Sequence, residues 1–63
     1  MTLETIYQKA NGVIGIDGMT VNERLYVSGL IDIFDQSKRD DKELAKTILK
    51  ALKVDQKSIE KII

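Results

Sequence analysis

The sequence predicts an all-α fold, a small compact bundle of three main helices plus a short C-terminal helix, in a single helical domain over residues 1–63. Two observations carry this. Apolar residues recur at helical spacing in successive segments, and most of these segments open on a side chain able to cap a helix. The joints between them are about 2 to 8 residues long, as in helix bundles. No internal repeat or low-complexity stretch interrupts the pattern.

The first helix is read over Thr2 to Asn11, with Thr2 as N-cap, Leu3, Ile6, Tyr7 and Ala10 as its apolar stripe, and Asn11-Gly12 as the stop. A helix this short is marginal alone in water, so the stripe is expected to dock on the second helix. Val13 to Met19, VIGIDGM, follows as an ordered loop, being apolar yet broken by Gly15 and Gly18. Thr20-x-x-Glu23 is a capping box for the next helix, with Met19 in the position of a hydrophobic staple.

The second helix is expected to run unbroken from Val21 to Ser37 and to be the central element. On a wheel of 100° per residue, Tyr26, Val27, Leu30, Ile31, Ile33 and Phe34 fall within roughly 160°, a face centred on Leu30. Gly29 lies inside it, either as a close helix crossing or as a kink. Leu25 and Val21 lie on the opposite flank, which suggests burial on two sides, by the loop or by a second copy. Ser37 to Asp41 reads as a polar connector, with Asp40-x-x-Glu43 capping a third helix from Lys42 to Lys53. That helix sets Leu44, Ala45, Ile48, Leu49, Ala51 and Leu52 against a stripe of Lys42, Lys46, Lys50 and Lys53. Asp55 caps a last helix, Gln56 to Ile63, whose Ile59, Ile62 and Ile63 close the open end of the core.

Composition excludes much chemistry. The chain has no Cys and no His, which removes disulfides, the usual zinc ligand sets and the commonest catalytic bases. The remaining nucleophiles, Ser28, Ser37, Ser58, the threonines and the lysines, lie in no catalytic motif. Asp35 to Lys46 fails as a calcium loop, because Asp40 stands where glycine is needed and Lys46 where the closing Glu belongs. No enzyme activity, cofactor or metal is therefore expected. Ten basic and ten acidic residues cancel, so no overall field favours nucleic acid or an anionic membrane. Charge is nonetheless segregated, net minus three over residues 1–35 and net plus three over 36–63. With no apolar run of membrane-spanning length and no signal-like N-terminus, the expected compartment is cytoplasmic.

The function expected by elimination is a non-enzymatic protein-interaction module, an adaptor, inhibitor or regulator, forming a homodimer. Its candidate binding residues are Val13, Ile14, Ile16 and Met19, since helix amphipathicity does not account for apolar side chains on a glycine-punctuated loop; the same loop can instead serve as a lid on the core, with Ile14 or Ile16 tucked between the first two helices. A second use is electrostatic, the lysine stripe of one copy meeting the acidic half of another. The alternative rests on Ala51, Leu52, Val54, Gln56, Ser58 and Ile59, which resemble the turn and recognition-helix start of phage-repressor-like helix-turn-helix domains. The resemblance spans 12 residues and implies that Gln56 and Lys57, with Lys61 a turn further along, face nucleic acid. Lys53 stands where that family's turn has Gly, and Asp55 adds negative charge there.

Overall fold

A computed structural model describes residues 2–63 as an all-helical body. Its elements are α1 (Leu3–Asn11), a 3-10 turn (Ile16–Gly18), α2 (Val21–Ser28), α3 (Ile31–Asp40), α4 (Lys42–Ala51) and α5 (Gln56–Ile62). Helical content and compactness agree with the sequence reading, but the chain folds into five helices. The Cα radius of gyration is 10.5 Å, against about 10.6 Å expected for a globule of this length.

The stretch from Val21 to Ser37 is two helices, and the break has a specific cause. Gly29 takes the left-handed conformation, φ 78° and ψ 17°. Its N–H donates to the Tyr26 carbonyl at 3.1 Å and the Leu30 N–H donates to the Leu25 carbonyl at 3.0 Å, the paired bonds of a Schellman stop. A Cβ at Gly29 would meet nothing within 4 Å. Glycine is thus required for its dihedrals and not for a close crossing. The turn brings Leu25 and Leu30 into one buried cluster, although a continuous wheel sets them on opposite flanks. The same wheel places Tyr26 and Val27 inside, yet they are 69% and 59% exposed, because the face computed across residue 29 does not exist.

The centre of the bundle is α4 rather than the predicted second helix: α1, α3 and α5 all pack on it, while α2 packs on α1 and α3. Ala45, Ile48 and Leu49 of α4 are fully buried, among Ile6, Leu25, Leu30, Phe34, Leu52 and Ile59. The first helix docks through Ile6 and Ala10, but chiefly on α4 and less on the expected α2, and Leu3 and Tyr7 stay exposed. The polar connector is shorter than read, with α3 running to Asp40 and Asp41 alone forming the joint. The cap of α4 accordingly shifts by one residue, Asp41 Oδ1 accepting from the Leu44 N–H at 3.2 Å. Ser37, read as connector, is buried in α3 and donates its hydroxyl proton to the Ile33 carbonyl at 2.6 Å.

The α4–α5 corner repeats the stop that ends α2. Lys53 adopts φ 63°, its N–H donates to the Lys50 carbonyl, and the Val54 N–H donates to that of Leu49, each at 3.0 Å. Leu49 and Val54 are both buried there. Asp55 then caps α5, accepting from the Ser58 N–H at 3.1 Å and its hydroxyl at 2.7 Å.

Candidate functional site

The loop between α1 and α2 sends its apolar residues in different directions. Gly15, at φ 75°, turns the chain into the 3-10 turn, which is closed by Gly18 N–H to Gly15 carbonyl and Met19 N–H to Ile16 carbonyl bonds of 3.1 Å. Ile16 is only 8% exposed and belongs to the core. Val13 is half-buried against the same core, and Met19 is half-buried. Ile14 is 90% exposed. The four residues named from sequence therefore comprise one core side chain, two at the margin and one free apolar tip.

The loop ends in the expected capping box. Thr20 Oγ1 accepts from the Glu23 N–H at 3.2 Å, and the Thr20 N–H donates to Glu23 Oε1 at 3.1 Å. The backbone and hydroxyl donors of Thr20 hold the Glu23 carboxyl below its ordinary pKa. The staple is not apolar. Its partner position on α2 is Arg24, whose Nε donates to the Met19 carbonyl at 3.1 Å. The same guanidinium reaches across the molecule, Nη1 donating to the carbonyls of Leu52 and Lys53, each at 3.2 Å. Sequence offers no signal for these bonds, because the acceptors are backbone oxygens almost thirty residues away.

The exposed large apolar residues are Leu3, Tyr7, Ile14, Tyr26 and Val27. All belong to α1, the loop or α2, elements packed on one another. Of these the sequence places Ile14 alone on a candidate binding surface and the others in the core, since wheel geometry counts apolar residues but does not say which face a break or a neighbour leaves open.

At the other end, Gln56, Lys57 and Lys61 are exposed on α5, with Gln56 Nε2 3.5 Å from Glu60 Oε1. Asp55, in front of them, has its carboxyl pKa lowered by the side chain and then the backbone N–H of Ser58. The Lys53 backbone is left-handed where the helix-turn-helix pattern has Gly, so the corner has the conformation that Gly would supply.

Depressions lie elsewhere on the described residues. One of about 470 Å³ lies at the α3–α4 joint, lined by Ile33, Gln36, Ser37, Asp40, Asp41 and Leu44. Another of about 370 Å³ lies beside Val21, Leu25, Ile31, Phe34 and Ile62, with Asp35 and Lys38 among its lining residues. Among the described residues no group of three His, Cys, Asp or Glu could hold a metal ion, and no helix is long and apolar enough to cross a membrane. No family model, curated protein or solved structure matches the chain.

Proposed function

We propose that the chain is a small non-enzymatic protein-interaction module, an adaptor, inhibitor or regulator that binds another protein through the α1–loop–α2 side and self-associates as a homodimer. The observation that supports it most is the distribution of exposed apolar side chains. Leu3, Tyr7, Ile14, Tyr26 and Val27 are all contributed by residues 3–27, whereas the exposed positions of α4 and α5 are dominated by charge. Tyr7 and Tyr26 are of a residue type enriched among the anchors of protein interfaces. Cytoplasmic placement belongs to the same reading, and the cysteine-free composition is compatible with it.

The second reading, a DNA-binding regulator acting through residues 51–63, draws on one observation, the left-handed Lys53 at the position where the helix-turn-helix pattern has Gly. Zero net charge and Asp55 weigh against it, since phosphate neutralisation supplies most nonspecific affinity.

One set of variants separates the two. Sedimentation of the parent at tens of micromolar is expected to show a species above the 7.1 kDa protomer, and Ile14→Asp with Tyr26→Asp is expected to abolish it. A parent that remains monomeric and loses no protein partner through these changes overturns the interaction surface. A sequence-selective shift of duplex DNA that disappears with Gln56→Ala and Lys57→Ala establishes the second reading instead.

A further inference from the structure

We infer that Arg24 is a strap that couples the 13–19 loop to the α4–α5 corner, so that opening one loosens the other. The coupling is independent of which surface takes the partner. It rests on one half-buried guanidinium with acceptors on three carbonyls from two distant parts of the chain, Met19 on one side and Leu52 and Lys53 on the other.

Each end of the strap is a structure that needs support. On the loop side, Gly15 holds a left-handed turn and the 3-10 turn is closed by two backbone bonds. A run this short has poor hydrogen-bond geometry of its own. On the corner side, Lys53 holds a left-handed conformation that disfavours a residue with a Cβ. Leu52 and Lys53 also lie at the C-terminal end of α4, where the aligned peptide dipoles place partial negative charge. A guanidinium is suited to this position because its planar fork offers several donors at fixed angles. Charge-assisted bonds to carbonyls are stronger than neutral ones. Arg24 therefore neutralises the end of α4, fixes the strained Lys53 peptide and holds Met19 with the same rigid group. If the Met19 carbonyl moves, the guanidinium must either follow it or lose its alignment with the corner. A partner that seizes the exposed Ile14 tip is thereby sensed at the start of α5, and a ligand on α5 is sensed in the loop. Coupling of this kind is reciprocal.

A double-mutant cycle read by native-state hydrogen exchange tests the strap. Gly15→Ala places a Cβ in open space, with nothing within 4 Å, so its effect is backbone strain confined to the loop. In the Arg24 protein this change is expected to raise exchange of the Gly18 and Met19 amides by about tenfold. It is expected to raise exchange at Lys53 and Val54 by at least about threefold through the strap. With Arg24→Met, which keeps an unbranched stem and removes the donors, the same change is expected to move only the loop pair. Arg24→Lys, which keeps the charge without the planar fork, serves the same purpose should the first variant fail to fold. The Phe34 amide of α3, bonded to the Leu30 carbonyl at 2.9 Å, is the reference: the stability lost by straining Gly15 raises its exchange equally with and without the guanidinium. Two results would each overturn the inference: unchanged Lys53 and Val54 exchange in the Arg24 protein, or an equal rise at these amides without the guanidinium.

Discussion

Ile14 and Ile16 are the same residue type two positions apart, and the structure gives them opposite roles. Ile16 fills the core between the N-terminal elements, while Ile14 stands in solvent. Truncating Ile16 to Ala removes buried methyl groups and leaves a cavity, which costs about 2–5 kcal/mol. Such a loss is a large part of the stability of so small a domain. Ile14→Ala removes no packed surface and is expected to stay within about 0.5 kcal/mol of the parent. Thermal melts of the two variants followed by circular dichroism check this directly; equal melting temperatures would show that the loop is not seated as described. VIGIDGM allows a core lid and a binding surface alike, and does not say which isoleucine takes which role. A loop has no fixed period, so nothing local says which of its apolar side chains meets the core.

The elements show how a stop signal can be read from sequence in one place and missed in another. Asn11-Gly12, the Thr20 box and Asp55 were all visible, because a cap is satisfied within three or four residues of itself. Gly29 was visible as a residue but not as a terminus, since apolar spacing appeared to continue through it. Lys53 gave no sign at all. The two sites are equivalent positions of the same kind of stop, and they make a prediction of opposite sign. Gly29→Ala puts a Cβ at φ 78° with no compensating contact, and is expected to destabilise by about 1 kcal/mol after allowing for the stiffer unfolded chain. Lys53→Gly relieves the same strain at φ 63° and is expected to stabilise by roughly 0.5–1 kcal/mol. Denaturant titrations of both variants settle the signs. A destabilised Lys53→Gly would mean that the lysine side chain contributes more at this corner than its backbone costs.

At the scale of the whole molecule, electrostatics acts mainly through helix ends. The only ion pair among the described residues is an exposed contact of 3.7 Å between Lys46 and Glu43, and such contacts contribute little. The carboxylates that matter cap helices: Glu23 and Asp55 both have pKa values lowered by hydrogen bonds from Thr20 and Ser58 respectively. Because each group binds its proton less readily in the folded chain, its contribution is fully present above the unfolded value and is lost as the pH falls through the folded one. Both unfolded values lie near about 4. The expected outcome is a stability plateau down to about pH 5 and a decline below it, seen as falling denaturant midpoints. With Glu23→Gln and Asp55→Asn combined, the decline should be shallower. An identical slope in the double variant would assign the acid sensitivity to other carboxylates.

What the sequence determined by itself was the helical class, most of the caps, the identity of much of the core in α4 and α5, and the exclusion of histidine- and cysteine-based chemistry. These follow from interactions that close within a turn or two of helix, or from composition alone. What only the tertiary structure decided was where the longest apolar stretch breaks, which helix lies at the centre, and which apolar residues are left outside. The Arg24 bonds belong to the same group. Leu25 and Leu30 share a core because the helix stops and the chain turns at one glycine between them, and Tyr26 and Val27 are left outside for the same reason. Arg24 holds Lys53 because folding brings together residues that sequence separates by 29 positions. Local spacing carries no information about contacts that chain reversal creates.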